Sequence, residues 1–217
     1  MQYEKELTQL LPRSFEMYEV MSHHVQQLEL WGPAPGLKFG AAFQSGLLSF
    51  EHGHSLLKLV EQGAVSSGMA LMRPQFECLI RGFWLMYADT EVWLAKIAAL
   101  GTVGLDEMKK YEPLMIADMF KALEHSAAPP DILAQLKSFR EVNNIALNSF
   151  THGGLMALVG NGTGYKPQTI YNALRNCNGI AAINMQMLSI LTGVKDAMIP
   201  VRDLHQHFTD CLPIIHN

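Results

Sequence analysis

The sequence has few charged residues and no run of basic ones. Asp, Glu, Lys and Arg make up 17% of its 217 residues, and the formal net charge is −4 at pH 7. Proteins that bind DNA or anionic lipid usually present clustered Lys and Arg to the phosphates. We therefore expect no DNA partner, and a nucleotide or an RNA would have to be held at a local site.

The sequence also lacks an apolar segment long enough to cross a membrane, although its hydrophobic fraction of 49% is high. A spanning helix needs about 20 consecutive apolar residues. The most apolar segment, residues 64–88, is interrupted by Arg73, Pro74, Glu77 and Arg81. The N-terminal residues lack the basic and apolar regions of a secretory signal. We expect a cytoplasmic protein that has no membrane partner.

Cysteine and metal-binding patterns are scarce. The three cysteines, Cys78, Cys177 and Cys211, are widely spaced among apolar neighbours, which indicates free buried thiols and not a disulfide framework or a zinc site. A Glu-x-x-His pattern occurs once, from Glu51 to His54, whereas di-iron helical bundles use it twice. We therefore expect neither a metal nor a cofactor.

The periodicity of apolar residues is helical from end to end, and no segment shows the alternation that is typical of a strand. We predict a single all-α domain over residues 1–217, a bundle of about seven to eight helices in which the helix at 64–88 is central and buried. The predicted helices span 3–31, 38–62, 64–88, 90–100, 131–152, 167–192 and 195–210, with two short helices flanking Pro113.

Proline and glycine predict where helices are interrupted. Pro74 predicts a kink and leaves the carbonyl near Ala70 without its helical partner. The glycine pair that begins at Gly153 predicts the end of the 131–152 helix. The GNGTG segment at 160–164 lacks the preceding strand and the spacing of a dinucleotide-binding loop, so we interpret it as a flexible turn.

Three charged residues lie on one face of the 64–88 helix. Arg73, Glu77 and Arg81 are four residues apart, so Glu77 can pair with an arginine on either side. Apolar residues point in nearly every other direction, which predicts a helix surrounded by protein. The charges are either an internal salt bridge that orients helix packing, or an arginine-lined pocket for a phosphate or carboxylate, because two guanidiniums around one carboxylate leave donors to spare.

A second polar line follows the 131–152 helix. Arg140, Asn144, Asn148 and His152 recur at four-residue spacing, and Thr151 lies beside the last of them. The line is either a solvated face or the wall of a site. In the second case, an imidazole at a helix end can act as an acid or a base near neutral pH.

Two segments carry a resemblance to a known family. LMRPQFECLIRGFWL at 71–85 and LNSFTHGG at 147–154 resemble an uncharacterised family of bacterial helical proteins. That family is marked by an Arg-Pro-x-Phe-Glu helix that continues into Arg-Gly-x-Trp, and by a later Thr-His-Gly-Gly. The resemblance implies site residues at Arg73, Glu77, Arg81, Thr151 and His152.

More distantly, the helical arrangement is similar to the HEPN superfamily, whose enzymes cleave RNA without metal and usually pair as dimers. Those enzymes use an Arg and a His four to six residues apart on one helix. Here Asn148 lies four residues before His152, and Arg140 lies twelve before it. Arg73 or Arg81 would therefore have to supply the charge that stabilises the phosphate from another helix.

The resemblance implies a HEPN-like homodimer with a pocket for an anionic ligand, namely a nucleotide or an RNA phosphate, and metal-independent RNA cleavage as its catalytic form. The candidate catalytic residues are His152, Arg81 and Asn148, and the candidate ligand-binding residues are Arg73, Glu77, Arg140, Asn144 and Thr151. The alternative is a non-enzymatic helical module for self-association or partner binding, in which both polar lines are structural.

Overall fold

The computed structural model describes residues 2–88, 90–100 and 115–213, and every regular element in these ranges is helical. The all-α prediction is confirmed. The α-helices, numbered in chain order, are α1 (Gln2–Trp31), α2 (Leu37–Glu61), α3 (Val65–Ala70), α4 (Met72–Tyr87), α5 (Glu91–Leu100), α6 (Ile116–Glu124), α7 (Pro130–Thr151), α8 (Leu155–Thr163), α9 (Pro167–Leu191) and α10 (Ile199–His207). A 3₁₀ turn at Lys195–Met198 leads directly into α10.

Helix α4 lies at the centre of the bundle, as the sequence predicts. It packs along α2 and also contacts α6, α7 and α9. Phe76, Leu79 and Ile80 project from it into one continuous hydrophobic core, and none of them is more than 1% exposed. Because these four neighbours each cover part of its circumference, α4 presents only a narrow strip of side chains to solvent.

The kink that Pro74 predicts in the 64–88 helix is found at Leu71, the single residue that divides this segment into α3 and α4. Pro74 has no N–H to donate to the carbonyl of Ala70, four residues earlier. That carbonyl instead accepts a hydrogen bond from Thr151 Oγ1 on α7, at 3.4 Å. The free carbonyl that Pro74 predicts is therefore present, and its partner comes from another helix.

The prediction of a flexible turn at 160–164 is wrong, because α8 continues through this segment to Thr163. A Cβ atom on Gly160 would lie 2.0 Å from Cε1 of Tyr165. Gly160 therefore allows an aromatic ring to pack on the helix and does not break it. The turn comes at Gly164, whose φ of +84° favours glycine.

The described helices already outnumber the seven to eight expected, because of the division at Leu71 and the additional helix α8. The last predicted helix, 195–210, is also altered, since it begins as the 3₁₀ turn and ends at His207. Helix α6 corresponds to the short helix expected after Pro113. The short helix expected before Pro113 lies outside the described residues.

Candidate functional site

The beginning of α4 faces the end of α7 because the two helices run antiparallel. Ala70, just before α4, contacts Thr151 at the end of α7. Two turns further along α4, the ring of Phe76 packs on Phe139 with centroids 4.6 Å apart. The side chains that follow Leu71 therefore meet the last turn of α7, where the second polar line ends.

Arg73 is the centre of the contacts at this meeting point. Its Nε donates to Oε1 of Glu77 at 2.7 Å, one turn along the same helix. Its Nη1 donates to Oδ1 of Asn148 and lies 2.9 Å from Nε2 of His152. The Arg73 and Glu77 side chains are 24% and 30% exposed. This group, the Arg73 cluster, consists of Arg73, Glu77, Asn148 and His152 and lies at the surface.

The contact with Arg73 fits one tautomer of the His152 ring. A guanidinium keeps its protons in proteins and has no acceptor atom, so Nη1 donates and Nε2 of His152 accepts. Nε2 therefore carries no proton in this arrangement, and the neutral ring has its proton on Nδ1. His152 is held at the end of α7, where its own backbone N–H donates to the carbonyl of Asn148 at 3.0 Å. Gly153, with a φ of +62°, then ends the helix as predicted.

The hydrogen bonds of the Arg73 cluster leave several donors without a partner among the described residues. They are the two N–H groups of Arg73 Nη2, the Nδ2 amide of Asn148 and the Nδ1 group of His152. No nitrogen of Arg73 or Asn148 is both buried and unpaired, so the unpaired ones are open to solvent. A surface cluster with one carboxylate and an excess of N–H donors is suited to an anion.

Arg81 does not join this cluster in the described part of the chain. No ion pair connects it to Glu77, and no hydrogen bond connects it to His152, so the predicted three-membered ladder is reduced to one pair. Its Nε is buried without a hydrogen-bond partner. Arg81 lies close enough to Cys78 that its charge acts to lower the pKa of that thiol, although burial raises this pKa overall.

The predicted polar line on α7 divides into two groups. Asn148 and His152 belong to the Arg73 cluster, whereas Arg140 and Asn144 line a separate surface pocket of about 450 Å³. The guanidinium carbon of Arg140 lies 5.2 Å from the ring centroid of Phe120 on α6. The sequence analysis missed the remaining lining residues, which are Phe120, Glu124, Lys137 and Glu141.

A sequence signal was available for only part of this pocket. Lys137 lies three residues before Arg140, a spacing that places both on one helix face. It pairs with Glu124 on α6 at 2.5 Å, and this ammonium group lowers the pKa of the Glu124 carboxyl. Phe120 and Glu124 carry no such signal, because only the packing of α6 on α4 and α7 brings them to the pocket.

A buried polar group near α4 is separate from both sites. Gln75 is fully buried, and its Nε2 donates to the carbonyl of Cys177 at 3.0 Å and to Tyr18 Oη at 3.4 Å. Burial raises the pKa of the Cys177 thiol to about 12. A thiol held protonated and shielded from solvent is a structural group and not a nucleophile.

The described residues hold neither a cluster of metal-binding side chains nor a membrane-spanning helix. No group of three or more His, Cys, Asp or Glu side chains in these ranges is arranged to hold a metal ion. None of the helices in the same ranges has the length and apolar character needed to cross a membrane.

The fold and the Arg73 cluster together describe an all-helical protein with a surface site, rich in hydrogen-bond donors, where two antiparallel helices meet. The chain belongs to a family of unknown function, DUF6988, whose model matches residues 46–214. The match includes every residue of the Arg73 cluster and of the Arg140 pocket. No curated protein and no solved structure matches the chain.

Proposed function

We propose that the Arg73 cluster binds the phosphate of a nucleotide or of an RNA strand. The observation that carries this proposal is the set of unpaired donors on Arg73 Nη2, Asn148 Nδ2 and His152 Nδ1. Phosphate oxygens accept hydrogen bonds from such donors, and Arg73 can offer the two N–H groups of Nη2. Such a ligand is intracellular, so the proposal includes a cytoplasmic location.

The pairing of Arg73 with Glu77 fixes the orientation of the guanidinium before the ligand arrives. Glu77 holds Nε and α7 holds Nη1, which leaves the edge formed by Nη2 for the ligand. A side chain that is already ordered loses little conformational entropy on binding. Glu77 also adds a negative charge beside the phosphate, so it lowers affinity while it improves orientation.

In its catalytic form the site would cleave RNA without a metal, as the HEPN-like resemblance implies. Arg73 would take the place of the arginine that α7 lacks at four to six residues before His152, and would stabilise negative charge on the phosphate in the transition state. His152 Nε2 would accept the proton of the ribose 2′-hydroxyl as its oxygen attacks the phosphorus. The bond from phosphorus to the 5′-oxygen breaks, and this oxygen takes a proton from water, so the products are a 2′,3′-cyclic phosphate and a free 5′-hydroxyl. Since Nε2 accepts from Arg73 in the free protein, the phosphate must first draw Nη1 away.

The proposal is tested by measuring the binding of inorganic phosphate and of uridine monophosphate. Calorimetry gives the affinity, and NMR of the His152 ring reports whether the ligand reaches this residue. We expect Arg73→Gln and His152→Ala to weaken binding at least tenfold, the loss of about 1.4 kcal/mol. The matched control is Arg202→Gln, which removes the same charge from an exposed position on α10. Equal affinity in all four proteins would reject the phosphate site.

Cleavage is tested separately with single-stranded RNA in the presence of a chelator. We expect product from the wild type and none from His152→Ala. If the wild type binds phosphate but leaves RNA intact, the site is a binding site and the catalytic form is rejected. Arg81→Gln is expected to act like the Arg202→Gln control, because Arg81 has no hydrogen bond to His152 in the described residues.

A second candidate function, self-association as a homodimer, is favoured by a different observation. Val142 and Ile145 on α7 are 79% and 80% exposed, and Leu155 and Leu158 on α8 are 75% and 66% exposed. Each pair is three residues apart and therefore shares one helix face; exposed apolar faces commonly mark an interface, and a second copy of the chain would cover them in a symmetric pair. Light scattering of the wild type and of Ile145→Glu tests this, since a monomeric wild type would reject it.

A further inference from the structure

The guanidinium of Arg140 has no ion pair and no hydrogen bond within the described residues. It lies over the ring of Phe120 and lines the 450 Å³ pocket beside the amide of Asn144. The neighbouring Lys137 is neutralised by Glu124, so the positive charge of Arg140 is the one that a ligand in this pocket would meet. A guanidinium that is placed by an aromatic ring keeps its N–H groups available for an anion.

We propose that Arg140 and Asn144 form a second anion-binding subsite, so that the ligand of the Arg73 cluster carries two phosphate groups. This inference rests on the proposed function, because it takes the first phosphate to lie at Arg73. Both subsites are on one face of α7, where residues four apart follow one another along the helix. A ligand that lies along this face can therefore reach both of them.

The geometry of α7 gives the separation between the two phosphates. Arg140 precedes Asn148 by eight residues, which corresponds to about 12 Å along the helix axis. Asn144 lies midway and can donate from its amide to the part of the ligand between the phosphates. A single inorganic phosphate is too small to use both arginines, whereas a ligand with phosphates at its two ends can.

Acidic side chains limit the size of the ligand. Glu141 is exposed and lines the same pocket as Arg140, and the whole chain has a net charge of −4. A long polyanion would meet these negative charges beyond the two arginines. The ligand class is therefore a compact bisphosphate, and its source is either a short single-stranded oligonucleotide or a small molecule with a phosphate at each end.

A series of synthetic ligands of graded length tests the separation. Ethanediol, hexanediol and decanediol bisphosphates are compared with hexyl monophosphate by calorimetry on the full chain. We expect hexanediol bisphosphate to bind about tenfold more tightly than the monophosphate, the gain from one additional charge-assisted hydrogen bond at a partly exposed site. The shorter ethanediol ligand is expected to show no such gain.

Variants assign the gain to the second subsite. Arg140→Gln is expected to remove the advantage of the bisphosphate and to leave monophosphate binding unchanged, whereas Glu141→Gln is expected to increase the advantage. Arg202→Gln is the control for net charge. A uridine tetranucleotide and the small bisphosphates are measured separately. If Arg140→Gln weakens the binding of only one of these two kinds of ligand, that kind is the source of the natural ligand.

The outcomes separate this inference from the proposed function. If the monophosphate binds through Arg73 but the bisphosphate binds no better, the second subsite is rejected and the first remains. If the bisphosphate gain persists in Arg140→Gln, another residue supplies it and the inference is overturned. If no phosphate ligand binds the wild type, both proposals fail.

Discussion

Replacing Glu77 should separate the structural and the ligand-binding contributions of the Arg73 cluster. If the pair were fully buried, removing Glu77 would cost about 3–5 kcal/mol, because an unpaired charge would remain in the interior. In the structure the two side chains are 24% and 30% exposed, so water can reach Arg73 when its partner is lost. Arg73 also keeps its contacts with Asn148 and His152.

The expected cost of Glu77→Gln lies between two reference values. An exposed helical ion pair contributes about 0.3–0.5 kcal/mol, and a hydrogen bond to a charged group contributes about 1.5–3 kcal/mol. For this half-buried pair we expect the free energy of unfolding to fall by about 1–2 kcal/mol. Urea denaturation measures it, with Glu141→Gln as the control for an exposed carboxylate that should change stability by less than about 0.5 kcal/mol.

The same substitution should strengthen phosphate binding. Removing the negative charge beside Arg73 lowers the repulsion of an incoming phosphate, so we expect affinity to rise severalfold while stability falls. If the ion pair had a purely structural role, phosphate affinity would not rise while stability falls. A loss of 3 kcal/mol or more in stability would refute the partial exposure on which the magnitude rests. An unchanged or weaker phosphate affinity would refute the role of Glu77 as a competitor of the ligand.

Three further predictions concern the core. Gly53→Ala should lower the free energy of unfolding by about 1–3 kcal/mol, because its Cβ would lie 2.3 Å from Tyr18 Oη. The control is Gly40→Ala on the same helix, where a Cβ would meet no atom within 4 Å, and it should not destabilise the protein. The Cys177 thiol, with a pKa of about 12, should react with iodoacetamide only after urea unfolding, and rapid labelling of the native protein would contradict its burial. Burial lowers the pKa of His24, so the unfolded chain binds more protons at this site than the folded one. The melting temperature should therefore fall as the pH drops below about 6.5, and it should fall less in His24→Gln.

Local chemistry made much of the fold predictable. The missing N–H of Pro74 indicates a free carbonyl at Ala70, and the structure contains one. The sequence could not indicate that Thr151 would be its partner, because that pairing depends on how α7 approaches the break. In the same way, Gly160 resembles a turn residue until the ring of Tyr165 is seen to pack against it. Both differences arise from tertiary packing, which local propensity does not contain.

The candidate site was predictable in its components but not in its assembly. Four-residue spacing correctly placed Glu77 beside Arg73, and it placed Asn148 on the same face as His152. Which arginine meets the histidine depends on the level at which α4 crosses α7. Arg81 lies eight residues after Arg73, about 12 Å further along the helix, so it cannot reach the end of α7 that Arg73 contacts.

The break at Leu71 and the end of α7 position each other. Thr151 Oγ1 donates a hydrogen bond to the carbonyl of Ala70 that Pro74 leaves free, and the next residue, His152, contacts Arg73 on the other side of the break. Thr151, the last residue of α7, and His152, which caps it, thus contact both sides of Leu71, and Gly153 follows directly with a φ of +62°. The Arg-Pro and Thr-His-Gly-Gly segments are therefore two halves of one structural joint. Arg73 lies at the surface beside this contact. The N–H that Pro74 lacks therefore accounts both for the break in the helix and for the position of the unpaired donors of Arg73 next to the end of α7.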